Sequence, residues 1–177
     1  MTVVTYVTDA SLAQLARRLR QLGFDVQVHR GARLEELLES ASRDGRTVLT
    51  RSTRHPKKWA AVPVLRVAGD TAHGVRTVTA YGEPSGPPLG RCSHCNAALR
   101  SRSAFEAHGE VPGRVARRGG PLFSCPDCGQ WFWLGSHTEQ LRTWFETALG
   151  RPLDWPSPPT GPPVTRQMPQ KGRPHGQ

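Results

Sequence analysis

The hydrophobic positions of the first ninety residues change period several times. "TVVTYV" (2–7) is a β-branched and aromatic run, the composition of a short strand buried on both faces. Leu12, Leu15, Ala16, Leu19 and Leu22 then recur along one face of a helix in "ASLAQLARRLRQLG". Thr8 or Asp9 is placed to cap its start, and Gly23 to end it in the left-handed conformation. "FDVQVH" (24–29) reads as a second strand, and "RLEELLESASRDG" as a second helix with Leu34, Leu37, Leu38 and Ala41 inward and Gly45 as its stop. "TVLTRS" (47–52) and "VPVLRV" (62–67) follow as a third and a fourth strand. Short strands alternating with helices need crossover connections, so the pattern predicts an α/β fold on a parallel sheet. Residues 71–81 have no clear period; a short last strand around Val75–Val78 is what their β-branched side chains suggest.

"GEPSGPPLG" (82–90) interrupts the pattern with turn residues. The chain therefore divides into an α/β domain at 1–83, a linker at 84–90 and a cysteine-bearing part at 91–150. That part ends in a predicted helix, "SHTEQLRTWFETALG", started near Ser136 or His137 and carrying Leu141, Trp144, Phe145 and Ala148. Residues 151–177 are expected to form a disordered Pro-rich tail, because "PSPPTGPPVTRQMPQKGRPHGQ" has too few apolar side chains to bury a core. Docking of that tail in an aromatic-lined groove is the alternative, but no PxxP core with a flanking arginine stands out.

Cys92-x-x-Cys95 and Cys125-x-x-Cys128 are separated by 29 residues. Each CxxC turn presents two thiolates on one side, and two such knuckles complete a tetrahedron around Zn²⁺. Four Cys ligands leave no open position, so the predicted zinc is structural. A redox CxxC is expected to open a helix after a strand, and neither pair does. His94 and His137 stand close by but are not needed as ligands. Just beyond the second knuckle, Trp131 and Trp133 alternate with Phe132. The expectation is that these rings fasten the cysteine-bearing part to the α/β half rather than stack on bases.

The charge is +10, from 24 Lys and Arg against 14 Asp and Glu. The excess is spread along the chain without a block of like charges, and nearly all of it is arginine, whose planar fork suits phosphate. This makes nucleic acid the expected partner. "GEVPGRVARRGG" (109–120), between the knuckles, is either a loop that follows an RNA backbone or a mobile excursion. "MTVVTYVTDAS" has no basic leader and no window approaches about 20 apolar residues, so a cytoplasmic protein without membrane insertion is expected.

In an open parallel sheet ligands bind at the carboxyl ends of the strands. Asp9 ends the first strand and "TRS" (50–52) the third. Asp9 is a candidate Mg²⁺ or Mn²⁺ ligand there, but on the residues alone the simpler reading is a plain helix cap.

"TDASLAQLARRLRQLGFDV", "GRTVLTRS", "RCSHCNAAL" and "FSCPDCGQWFWLGSH" occur in the order seen in one family. Together they resemble the Mut-seven carboxy-terminal RNase domain, a minimal PIN-like fold joined to a zinc ribbon, over about residues 1–145. The resemblance implies a ribonuclease in which acids at the sheet edge bind one or two divalent ions, Mg²⁺ or Mn²⁺, to activate water and stabilise the leaving oxygen. Asp9 matches the family's first acid. Where the family usually has Asp after "LTR", this chain has Ser52. Where an acid precedes the second helix, Arg33 or Leu34 stands, with Glu35 and Glu36 just behind. The implied catalytic set is therefore Asp9, Glu35, Glu36 and Ser52, with Arg17, Arg18, Arg51, Arg54, Lys57 and Lys58 as phosphate contacts. The alternative is a weak or inactive PIN-like module that binds RNA or a ribonucleoprotein such as the ribosome.

Overall fold

The computed structural model describes residues 2–31 and 33–156. Four short strands, β1 (Tyr6–Thr8), β2 (Val26–Val28), β3 (Thr47–Thr50) and β4 (Val64–Arg66), form an all-parallel sheet in the order β2-β1-β3-β4. Tyr6, Val7 and Thr8 of β1 align with Val26, Gln27 and Val28 on one side and with Thr47, Val48 and Leu49 on the other.

The pleat sends neighbouring side chains to opposite faces. Tyr6 and Leu49 join a core with Leu15, Leu19, Val75 and Val78, under α1 (Ala13–Gln21) and α3 (Thr71–Tyr81). Val7 and Val48 face the other way, onto Leu37, Leu38 and Ala41 of α2 (Leu34–Asp44). A 3₁₀ turn at Lys57–Trp59 lies in the β3–β4 connection, whose Trp59 and Val62 pack on this α2 side.

The stretch suggested as a strand around Val75–Val78 is helical. Asp70 Oδ1 accepts the His73 N–H at 2.8 Å and caps α3, while Gly74, Val75 and Val78 form its buried face. Packing decides here over the β preference of valine. Gly74 lets α3 approach α1, since a Cβ there would lie 2.9 Å from Leu15 Cδ2. The 84–90 segment is not a free tether. Ser85 Oγ donates to Gly23 O, Leu89 N–H to Gln21 O, and a Cβ on Gly23 (φ +91°) would run into Gly86 O.

The cysteine-bearing part is a three-stranded antiparallel ribbon, β5 (Arg100–Arg102), β6 (Leu122–Ser124) and β7 (Trp131–Trp133), in the order β5-β6-β7. The basic excursion at 109–120 contains a short helix, α4 (Gly113–Arg118). The last helix, α5 (Ser136–Leu149), returns to the α/β half. Its Leu141 and Phe145 belong to the α1/α3 core, and Arg76 of α3 donates to Ala148 O at 3.0 Å. The packed chain extends beyond residue 150, where the tail was expected to begin: Trp155 is buried against Phe145, and Leu153 covers the same cluster. The Pro-rich stretch at 157–177 lies outside the described residues.

The β7 aromatics take a different place from the one expected. Trp131 packs within the ribbon, on a small cluster of Ala107, Val111 and Leu122. Phe132 lines an opening of about 250 Å³ together with Gln21, Leu89 and Leu141, and belongs to none of the buried clusters. Aromatic fastening of the two halves falls instead to Trp144, Phe145 and Trp155.

Candidate active site and zinc centre

In a doubly wound sheet a crevice opens where neighbouring strands send their connections to opposite faces. β1 leads into α1 on one face and β3 leads into the Trp59–Val62 segment on the other, so the crevice lies between the carboxyl ends of β1 and β3. Asp9 follows β1, and Arg51 and Ser52 follow β3. A cavity of about 50 Å³ sits among Ser11, Gln14, Arg51, Gly69, Asp70 and Thr71. It has room for a few waters or a small hydrated ion, and none for a nucleotide.

Asp9 is the cap that the sequence allowed: its Oδ1 accepts the N–H of Ser11 at 2.8 Å and also the Ser11 hydroxyl. Oδ2 carries no hydrogen bond among the described residues, so Oδ1 alone orients the carboxylate. Ser52 is half-buried; its Oγ accepts the Arg54 N–H at 3.1 Å, and its own N–H donates to Thr50 Oγ1. Glu35 and Glu36 lie in the first turn of α2, where the helix dipole favours them. Glu35 is exposed, and Glu36 Oε2 lies 4.0 Å from His29 Nε2, past the end of β2. Among the described residues, no three of these carboxylates bring their oxygens within 4.8 Å of one another.

The six candidate cations do not form one surface. Arg17 is exposed on α1, and the Arg18 guanidinium lies 4.7 Å from the Trp144 ring centroid, committed to the α1–α5 contact. Arg51, Arg54, Lys57 and Lys58 are exposed along the β3–β4 connection. Arg51 also donates to Gly69 O at 3.4 Å, leaning across the small cavity. No acidic residue occurs between Asp44 and Asp70, so this connection is wholly basic beside the crevice.

Two groups at this edge were not singled out from sequence. Asp70 lines the small cavity, with Oδ1 engaged as the α3 cap. Its signal was an acid just after a strand, obscured because the helix behind it was not recognised. His29 is the residue after β2, its N–H donating to Thr8 O next to Asp9 at 2.7 Å. Its Nε2 is buried without a hydrogen-bond partner among the described residues.

The four cysteines converge as their spacing predicts. All four sulfurs lie within 4.8 Å of one another, with Cys92 and Cys128 at 3.6 Å and Cys95 and Cys125 at 3.3 Å. A disulfide needs about 2.05 Å, and none is formed. Zinc–sulfur bonds of about 2.3 Å set tetrahedral S···S edges of about 3.8 Å, so the residues fit this metal. The knuckles are near copies: Asn96 N–H donates to Cys92 O and Gly129 N–H to Cys125 O, and both donors are left-handed (φ 79° and 71°). Burial pushes the Cys92 thiol up to about 12. At Cys125 burial works in the same direction, but hydrogen bonds from the Cys128 and Asp127 backbone and from neighbouring thiols outweigh it and bring the thiol down to about 7. Four thiolates in this space need a cation.

A polar clamp joins the zinc knuckle to the start of β2. Asp25 receives Arg46 Nη1 at 2.6 Å and Asn96 Nδ2 at 2.8 Å, with Arg91 Nη2 at 3.3 Å. Burial opposes its charge, yet the Arg46 and Asn96 hydrogen bonds and the two guanidinium charges hold its carboxyl below the usual range. Asn96 Oδ1 accepts the Val26 N–H at 3.1 Å. The buried Arg20 donates to Val26 O, Ser93 O and His94 O. The ribbon thus docks at the amino-terminal edge of the sheet, opposite the crevice.

Among the described residues no helix is long and apolar enough to cross a membrane. Residues 4–145 match the family model described as Mut7-C RNAse domain. No curated protein and no solved structure matches the chain.

Proposed function

Because the chain belongs to the Mut7-C RNase domain family, we propose that it hydrolyses single-stranded RNA with a divalent ion, Mg²⁺ or Mn²⁺, held at the crevice between β1 and β3. The observation that carries this reading is Asp9, at the switch point of the sheet with one carboxylate oxygen oriented by Ser11 and the other without a hydrogen-bond partner among the described residues. Asp70, which lines the small cavity together with Ser11 and Arg51, supports it as a second carboxylate at this edge of the sheet. Magnesium usually retains several waters and takes one or two carboxylates plus substrate phosphate, so this sparse donor set suits one water-rich ion better than a two-ion cage. Such an ion supplies an acidified water and a counter-charge for the leaving oxygen.

The chain's own groups orient the RNA. Arg51, Arg54, Lys57 and Lys58 neutralise phosphates along the acid-free β3–β4 connection. Ser52 accepts or donates a hydrogen bond at the crevice without adding charge. Glu36 and His29 stand at the β2 end, one position removed from Asp9. The four-cysteine site holds a structural zinc and takes no part in the reaction.

A second reading, RNA binding without cleavage, draws on Ser52 in place of an acid and on the lack of a carboxylate trio among the described residues. Cleavage of a labelled single-stranded oligonucleotide in Mn²⁺ separates the two. The first expects Asp9→Asn to lower the rate roughly 100-fold or more, several kcal/mol of lost metal-assisted stabilisation. Cleavage that survives Asp9→Asn would sink it; a wild-type chain that binds RNA with a steep salt dependence and never cuts it establishes the second.

A further inference from the structure

β7 is an edge strand: it pairs with β6 on one side and has no partner on the other among the described residues. An opening of about 710 Å³ lies on its α4 side and the one of about 250 Å³ on its α1–α5 side. Trp131, Phe132 and Trp133 line both. Trp133 is 37% exposed, so its indole is not spent on the ribbon core. Among the described residues no carboxylate lines either opening, and Arg114 of α4 lines the larger; Arg91 lines the smaller, but its charge is already met by Asp25. Flat apolar rings beside positive charge suit a polyanion with exposed π-faces, and only an unpaired strand offers its bases to such rings. A neutral peptide added to the strand edge would use the rings but not the charge.

We propose that the β7 edge of the ribbon is a groove for single-stranded RNA, with Trp133 stacking on an unpaired base and Arg114 meeting an adjacent phosphate. This rests on the ribonuclease reading for the class of ligand. The ribbon docks beside Asp25, at the opposite sheet edge from Asp9, so the groove and the crevice are separable by mutation.

The test uses the full zinc-loaded chain without added Mg²⁺ or Mn²⁺, so that nothing is cleaved. Binding of a fluorescein-labelled ten-nucleotide oligouridylate is followed by anisotropy. Trp133→Ala weakens it about tenfold, in line with measured stacking contributions, and Trp133→Phe restores most of that loss. Arg114→Glu weakens it at least as much and lowers the salt slope by about one contact. Phe105→Ala, at an aromatic 90% exposed that lines neither opening, leaves affinity unchanged. Zinc content and melting temperature report whether Trp133→Ala is folded; if it is not, Arg114→Glu decides, because Arg114 is an exposed residue. Unchanged affinity in a folded Trp133→Ala chain and in Arg114→Glu overturns the proposal, whatever the cleavage assay shows. So does inorganic polyphosphate competing as well as oligouridylate, or an uncharged Pro-rich peptide displacing the RNA. Loss of binding in both variants, in a wild-type chain that never cleaves, upholds the groove and rejects the nuclease.

Discussion

Asp25→Ala removes the centre of the clamp and leaves its partners in place. Arg46 and Arg91 lose their counter-charge, and Asn96 loses the acceptor for its amide. Stranding one member of a fully buried pair costs about 3–5 kcal/mol, whereas an exposed pair is worth about 1 kcal/mol or less. The Asp25, Arg46 and Arg91 side chains are 16, 13 and 20% exposed, nearer the buried case. Each arginine keeps one carbonyl, Tyr6 O at 3.1 Å for Arg46 and Asn96 O at 2.9 Å for Arg91, which tempers the loss. The expected destabilisation is about 2–3 kcal/mol, or roughly 30- to 150-fold in the unfolding constant. For a chain of this size that lowers the melting temperature by about 4–12 °C. Urea unfolding at pH 7 with zinc present, followed by tryptophan fluorescence and far-UV circular dichroism, measures it. A loss below about 0.5 kcal/mol, as for an ordinary surface substitution, refutes the clamp. The pH dependence gives a second readout. Because the folded carboxyl titrates below its unfolded value of about 3.9, its stabilisation is fully present above that pH and is lost as pH falls through the folded value. Asp25→Ala therefore flattens the acid limb of the stability curve; an unaltered limb contradicts the assignment.

Zinc removal should be more severe. Structural zinc contributes on the order of 10 kcal/mol of binding free energy that is also folding free energy, so Cys95→Ser is expected to lose stoichiometric zinc and the cooperative transition, read by metal analysis and thermal melting. An apo chain that melts like the holo chain contradicts this. Ser52→Asp returns a carboxylate to the crevice and should lower the Mn²⁺ concentration for half-maximal cleavage by about tenfold, the direction expected when ligand charge is added. No change in the Mn²⁺ titration would place Ser52 outside the ion's reach.

Spacing carried what was local. The α1 and α2 stripes and the two CxxC turns were readable because each is fixed within a dozen residues. α3 was not, since Val75 and Val78 suit a strand as well as a helix until Leu15 is seen against Gly74. Asp70 was missed with it, an acid whose meaning depends on the helix it caps. The clamp had no sequence signal at all: Asp25 meets Arg46 and Asn96 across 21 and 71 positions. Nothing in the β7 sequence shows that Phe145 and Trp155 do the fastening, because the return of α5 that brings them there is a tertiary fact.

That return also sets an order in time. The α/β half emerges from the ribosome first, with Leu15, Leu19, Val75 and Val78 forming a face that α5 helps to cover. At about 5–20 residues per second, the next sixty or so residues take about 3–12 s to synthesise. Until then the nascent chain holds an incomplete core, and an arrest anywhere in the ribbon leaves it so. A truncated product ending near residue 90 is thus expected to be a target for chaperones and proteases rather than a free-standing nuclease, and synthesis of α5 completes the fold.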